Sequence, residues 1–378
     1  MDDGNALKNY QTRTGRHVWG TGEIIDSVIA DLSNENIDVL FIPGDMTLNG
    51  EKLSHTDFVR KLEPLMQKGT KVFVIPGNHD VNIPNPLRFE GNNSYPADNV
   101  SAAEFESIYY GCGYGSAIKR DTASLSYVAQ LDDNKWLLAI DGSLYKEYTN
   151  IPLPAGRIPA ATEKWIIEAL TEAKEKNMKV IGMMHHGLVE HVVLQDMLLP
   201  QYLIDDWRRL AALFADNGLK FIFTGHFHSH DISEFISDAG NKIYDIETGS
   251  LQSYPYPYRI INITNKEMDI ATRNVKSISS NPDLFTQGRL FLKDQIITQI
   301  KQRFGKKLNH LPGESIDRIV DLGSEIAILH IQGDEVLNDD TKQQIKALAK
   351  EADIPVDLSP EFLQLDFPPG DNNVTLPF

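Results

Sequence analysis

Apolar residues along this chain change their spacing several times. Across residues 22–34, Ile24, Ile25, Val28, Ile29 and Leu32 fall at the three- and four-residue intervals of one helix face. Val39-Leu40-Phe41-Ile42 is then an unbroken apolar run, short enough for a buried strand, and it stops at Pro43-Gly44-Asp45. Helical spacing returns over 55–66 through Phe58, Val59, Leu62 and Leu65. Val72-Phe73-Val74-Ile75 is a second strand, and it stops at Pro76-Gly77-Asn78-His79-Asp80. The two strand ends look alike, and buried strands separated by helices predict a layered α/β arrangement.

Residues 84–121 are rich in Asn, Pro, Gly and Tyr and read as long loops with one short helix over 102–109. Segments 122–131 and 136–141 flank Asp132-Asp133-Asn134-Lys135, a hairpin pattern. The spacing predicts helices over 161–176 and 207–214 and strands over 180–184 and 221–224. Further strands are expected over 232–236, 243–247 and 259–263, parted by turn residues such as Ala239-Gly240-Asn241. Residues 1–275 therefore read as one α/β domain with added antiparallel strands. The hairpins favour a two-sheet sandwich with outer helices over a doubly wound single sheet. From about 280 the pattern changes: Leu292, Ile296, Ile300 and Phe304 recur every four residues, and so do Ile345 and Ala349. Residues 276–378 are expected to form a small, mostly helical module. Its proline-bearing tail after Pro355 is expected to pack as an extended segment or to fray.

Composition narrows the chemistry. The 378 residues carry a formal net charge of -17, which repels nucleic-acid polymers. A small anionic substrate stays compatible if a local metal cluster reverses the field. No apolar run is long enough to span a membrane. Met1 is followed at once by two aspartates, so the chain as given shows no signal peptide; a removed leader would leave no trace. Cys112 is the only cysteine, which excludes intramolecular disulfides and cysteine-based zinc or iron–sulfur sites. It lies between Gly111 and Gly113, where a packing role suits it better than nucleophilic catalysis.

The polar groups just past the strand ends are Asp45 in GDMT, Asn78 and His79 in GNHD, His185 and His186 in MMHHG, and His226 and His228 in GHFHSH. Each has an ordinary reading alone. Asp45 and Asn78 suit turns or caps, the His185–His186 pair suits one core and one exposed residue, and His226 and His228 suit a surface. Four strand ends that each supply a metal-capable group are a stronger pattern. The mix of Asp, Asn and His suits a borderline divalent ion such as Mn, Fe, Zn or Co. His17, His55, His191 and His230 are taken as structural or solvent-facing.

The ordered set GD, GNHD, HH and GHFH, over about residues 39–228, resembles the calcineurin-like metallophosphoesterase superfamily. ETGSLQS and PYPYR, at 247–253 and 255–259, fit the end of the same domain. The resemblance implies a two-sheet α/β/β/α sandwich with two divalent metal ions (Mn, Fe or Zn) at the strand ends. It implies that Asp45 bridges both metals, that Asn78, His185 and His226 complete one site, and that His228 serves the other. His79 would steady the phosphate and leaving group, with Asp80 orienting its imidazole. Gly187 stands where many relatives have proline. One departure is larger. The family opens on a strand ending in Asp-x-His, whose groups bind the first metal, and no Asp-x-His precedes Asp45 here. Either the chain starts after its first strand or its first metal site is degenerate, and the expectation is a weakened first site.

The resemblance implies metal-dependent phosphoester hydrolysis, with a small phosphodiester, such as a cyclic or other nucleotide diester, as the preferred substrate. Long loops over 84–121 and 188–206 would wall a pocket for two organic groups. The alternatives are a phosphomonoesterase or 5'-nucleotidase, and a non-catalytic binding or scaffolding protein. The expected partner is a small phosphorylated molecule, with a homo-oligomer contact possible through residues 276–378. The composition suits an exported or cell-surface bacterial protein without its leader, and a cytoplasmic one as well.

Overall fold

The computed structural model describes residues 4–14, 18–351 and 365–378. They cluster into two compact units. The first runs to Glu190 and continues through Leu194–Phe227 and Ser233–Thr248; the second comprises His191–Val193, His228–Ile232 and Gly249–Phe378. His17 lies outside the described residues, as do 352–364 of the expected tail.

In the first unit, helices α1 (Asn5–Thr14) and α2 (Thr21–Ser33) precede β1 (Val39–Ile42), α3 (Lys52–Gln67) and β2 (Lys71–Val74). A hairpin of β3 (Leu87–Glu90) and β4 (Asn93–Pro96) follows, then α4 (Ala102–Ile108) and β5 (Ala117–Arg120). Next come β6 (Tyr127–Asp132), β7 (Lys135–Ile140), α5 (Ala160–Glu175), β8 (Lys179–Met184), α6 (Gln195–Leu198), α7 (Trp207–Asp216), β9 (Phe221–Thr224), β10 (Ile232–Ile236) and β11 (Lys242–Glu247). Strands β5 to β11 form a seven-stranded sheet in the order β10-β11-β9-β8-β7-β6-β5. Its middle pairs, β11–β9, β9–β8 and β8–β7, are parallel, whereas β7–β6 and β6–β5 are antiparallel. Strands β7 and β9 are buried at every position, which is why they read as apolar runs. Strands β1 and β2 pair in parallel as a separate two-stranded sheet. Phe41 of β1 packs edgewise on Phe73 of β2 and contacts Phe223 of β9, ring centroids 6.1 and 5.6 Å apart, joining the two sheets.

The outer layer follows from helix amphipathicity. Ile166, Leu170 and Ala173 of α5 and Leu210, Ala211 and Phe214 of α7 share one buried cluster with Leu138 and Ile140 of β7 and Ile222 of β9. The two-sheet α/β sandwich is thus the observed fold. Residues 84–121 correct the expectation of loops and one helix, since they also hold a hairpin and the edge strand β5. Neither could be seen as an apolar pattern: β4 is exposed at every position and β5 is Ala-Ile-Lys-Arg. The hairpin expected from residue 122 starts instead at Tyr127. Residues 122–126 are held off the ladder by Asp121, which accepts from the Ala123 amide, and by Asp141, which accepts from that of Leu125.

In the second unit, β12 (Pro257–Ile263) and β13 (Glu267–Asn274) pair antiparallel. Three helices follow, α8 (Leu284–Leu308), α9 (Gly313–Gln332) and α10 (Asp339–Glu351), and β14 (Asn373–Pro377) then returns to pair with β13. The helical pattern beyond 280 is therefore real, and the end of the chain is a strand. No described helix is long and apolar enough to cross a membrane.

Candidate metal centre

Parallel strands leave their C-terminal ends on one side, and loops there carry function. Asp45 follows β1, Asn78 and His79 follow β2, His185 and His186 follow β8, and His226 follows β9. One ligand atom each from Asp45, His185 and His226 lies within 4.8 Å of the others. The His185 Nε2 atom is 3.1 Å from Asn78 Oδ1 and 3.4 Å from Asp45 Oδ2. Asn78, His185, His186 and His226 are all buried, so the ordinary reading of the HH pair as one core and one exposed residue does not hold. His228 belongs to the second unit, where it is exposed and has a φ of 63°.

Backbone conformation shapes the site. Asp45 has φ 53°, a region that an L-residue enters at a cost and that clusters at functional sites. The preceding Gly44 has φ 93°. A Cβ on Gly77 would lie 2.1 Å from Asp45 Oδ1, so the GNHD glycine is what lets the two similar strand ends meet.

Protein carbonyls set the imidazole tautomers. His185 Nδ1 lies 2.8 Å from the carbonyl of Pro43 and must donate there, which turns a lone pair on Nε2 toward Asn78 and Asp45. His226 Nε2 lies 2.8 Å from the Pro154 carbonyl and 3.3 Å from that of Gln201, so its Nδ1 carries the lone pair. His186 Nε2 donates to the same Pro154 carbonyl, at 3.1 Å, and burial followed by the neighbouring His185 charge holds its pKa down at about 3. His186 is therefore a neutral packing group. A Cβ on Gly156 would fall 2.5 Å from its ring.

Electrostatics show what this arrangement requires. Burial opposes charge on both Asp45 and His185, yet their mutual attraction wins. Charges on His185, His79 and His226 hold the Asp45 carboxyl well below its ordinary value, and Asp45 raises His185 to about 8. An imidazole lone pair, an amide oxygen and a carboxylate that converge in a buried space need a positive charge between them. A proton on His185 or a divalent cation meets that need, so these residues fit a metal.

His79 donates its backbone N–H to Asp45 Oδ1, at 2.9 Å, and its Nδ1 pairs with the Leu48 carbonyl at 2.9 Å. Asp80, expected to orient the His79 imidazole, is placed against Thr47 and Gly77. Asp80 is fully buried; its Oδ1 accepts from the backbone and hydroxyl of Thr47 and its Oδ2 from the Gly77 amide. It braces the GDMT loop against the GNHD loop. Burial, then the nearby Asp45 charge, raises its pKa to about 7. His55, taken as an ordinary histidine, supports the same loop: its Nε2 donates to the Asp80 carbonyl and its Nδ1 accepts from the Tyr109 hydroxyl, each at 2.9 Å.

Three supporting residues had no motif to mark them. Asp245 on β11 accepts the amides of Leu188 and Val189, at 2.6 and 3.0 Å, and the Thr224 hydroxyl. Glu247 accepts the amide of Phe227 and the Thr224 hydroxyl, each at 2.8 Å. Together they pin the loops that carry His185 and His226. The Tyr148 hydroxyl donates to the carbonyl of Asn78 at 2.9 Å. Buried carboxylates on a strand that otherwise reads as core were the available signal for the first two.

The model of the calcineurin-like phosphoesterase family matches residues 17–230, more than half of the chain. The chain belongs to that family of metal-dependent phosphoester hydrolases. Among solved structures it is similar to a dimetal phosphatase from Danio rerio, at 13% identity and TM-score 0.48, covering 68% of this chain and 88% of that one. It is also similar to a protein described as a 5'-nucleotidase from Staphylococcus aureus, at 12% identity and TM-score 0.36, covering 68% of this chain and 46% of that one. A phosphopantetheinyl hydrolase from Mycobacterium tuberculosis matches at 13% identity and TM-score 0.31, over 58% of this chain and 84% of that one. The search of curated proteins returned no match.

Proposed function

We propose that this chain hydrolyses a small phosphodiester, such as a cyclic or other nucleotide diester, at a two-metal centre. The observation that carries the reading is the convergence of Asp45, His185 and His226 donor atoms within 4.8 Å, with Asn78 Oδ1 against His185. Asp45, Asn78, His185 and His226 would hold one Mn, Fe or Zn ion. Asp45 would also serve the second ion. Bound divalent cations supply Lewis-acid activation of water and of the phosphoryl oxygens.

The chain's own groups then have definite tasks. Asp45 supplies the negative charge that retains cations, and the Pro43 and Pro154 carbonyls keep the His185 and His226 imidazoles aimed. His79, held through Nδ1 by the Leu48 carbonyl, presents Nε2 to the substrate; protonated there, it donates to a phosphoryl oxygen and passes that proton to the leaving oxygen. Asp80 and His55 keep the His79 loop in place. Steady-state rates on an aryl phosphodiester and on the matching monoester, with Mn, Fe or Zn supplied, test the proposal. Turnover of the diester that is lost in His79→Ala supports it. Full activity on the monoester with none on the diester refutes the diester preference. No turnover of either, with metals bound, refutes the enzymatic reading.

A further inference from the structure

The second unit contains a group of carboxylates that the hydrolytic reading does not use: Asp231, Glu335 and Asp371 are buried, Asp366 is half-buried and Asp334 is exposed. Asp231 lies in the 228–232 segment. His330 occupies the last turn of α9, and Asp334 and Glu335 follow the helix directly. Asp366 and Asp371 come from the segment that leads into β14. Ligand atoms of Asp231, His330 and Glu335 lie within 4.8 Å of one another, and so do those of Asp334, Asp366 and Asp371. Asp231 and Asp371 are 0% exposed and Glu335 is 4% exposed.

Some of these oxygens have ordinary structural work. Asp371 accepts the amides of Ile232 and Asp334, at 2.7 and 2.6 Å, and Asp334 accepts the Asp371 amide at 2.7 Å. Asp334 also accepts from the Asn372 side chain. Asp231 Oδ1 pairs with His191 Nδ1 at 2.5 Å, and Glu335 Oε1 pairs with His330 Nδ1. Arg259 donates to the backbone carbonyls of Asp371 and Asp231. The remaining Glu335 oxygen, Oε2, is buried and accepts no hydrogen bond, and Asp366 Oδ1 is likewise buried without one. A carboxylate oxygen buried without a donor, inside a group of further carboxylates, is costly unless a cation faces it.

We propose that Asp231, Asp334, Glu335, Asp366 and Asp371, together with His330, form a divalent-cation site for an ion that prefers oxygen donors, of the Ca2+ or Mn2+ class. Five carboxylates and one imidazole match the hard, oxygen-rich ligation of such ions. The site ties the end of α9 to the 228–232 segment and to the C-terminal strand, so its occupancy stabilises the second unit. Titration behaviour agrees. Burial, then the Asp231 charge, pushes Asp371 up to about 8, and burial, then Glu335, pushes Asp366 up to about 6. Without a cation these groups resist ionising together.

The test uses the full chain, stripped with chelator, with thermal unfolding followed as Ca2+ or Mn2+ is added. A saturable Tm rise of about 3–8 °C is expected for one of the two ions. Glu335→Gln and Asp366→Asn should each shift the midpoint of that response at least about tenfold to higher ion concentration. Asp366→Asn should leave the Tm without cation unchanged or higher, because it removes one of several crowded negative charges. His185→Ala should keep the response. No saturable rise with either ion in the unaltered chain overturns the proposal, as does a response unchanged in both variants or one abolished by His185→Ala. If Glu335→Gln fails to fold, Asp366→Asn at its partly exposed position reads the same quantity.

Discussion

The Asp45 cluster and the Asp231 cluster each gather acidic groups and imidazoles in a buried space, yet they are built in different ways. In the first, one carboxylate meets two imidazoles and an amide oxygen, and both imidazoles are aimed by backbone carbonyls. Its charges attract: the imidazoles hold the Asp45 carboxyl low, and Asp45 raises His185. In the second, carboxylates outnumber imidazoles, and burial drives Asp371 and Asp366 toward their neutral forms. The first arrangement has the nitrogen-rich donors and strained backbone of a reactive centre. The second has the oxygen-rich donors and backbone cross-links of a structural one. Convergence of titratable groups therefore does not define a role; donor type and the way each donor is aimed do so.

The comparison breaks first at His185. Removing its imidazole takes a donor from a buried centre and should lower kcat/KM on an aryl phosphodiester about a thousandfold or more, about 4 kcal/mol of transition-state stabilisation. Metal content should fall with it, while the cation response of the second unit persists. Full rate and full metal content in His185→Ala would end the assignment. His191 does not serve as an inert control, because it is fully buried against Asp231; the exposed His310 is the better choice.

The next effect lies beneath the first cluster, in its support. Burial lowers the His55 pKa to about 4, opposed by its bond to the Asp80 carbonyl. The folded value is below the unfolded one, so the unfolded chain binds the proton more readily. The stability held by neutral His55 is therefore complete above the unfolded value of 6.5 and is lost as pH falls toward 4. The loss amounts to about 3 kcal/mol, from about 1.4 kcal/mol per pKa unit. Urea unfolding across that window should show the decline, and His55→Gln should be less stable at neutral pH but flatter in profile. Equal slopes in both proteins would assign the pH dependence to other groups.

Asp245→Ala sharpens the view that the His185 loop is fixed from below. It leaves the Leu188 and Val189 amides without their buried acceptor, while the Thr224 hydroxyl keeps Glu247, at a cost of about 2–3 kcal/mol in unfolding free energy read from urea curves. KM should change less than kcat, because the loop carries donors rather than substrate contacts. The smallest effect sets the baseline. Arg209 forms half-exposed ion pairs with Glu163 and Asp206, and Arg209→Ala should cost under about 1 kcal/mol, weakening further with salt. A larger loss would mean that surface charge matters more here than either buried cluster suggests.

By itself the sequence determined what local pattern can determine. Strands β2, β8 and β9 carry continuous apolar runs because both their faces are buried, and α5 and α7 are amphipathic because only one face is. Asp45, Asn78, His185 and His226 stood out as candidates because four strand ends each carry a metal-capable group, although each alone has an ordinary reading. Tertiary structure decided what depends on distance. The β3–β4 hairpin and β5 have little apolar period, since edge strands bury too little to impose one. Asp80 looked like a partner for the adjacent His79, but its carboxylate accepts from Thr47 and Gly77, which the fold brings to it. The Asp231 cluster was invisible in the chain because its members span more than a hundred residues. No short motif records them, and only the return of β14 onto β13 brings the last of those carboxylates to the first.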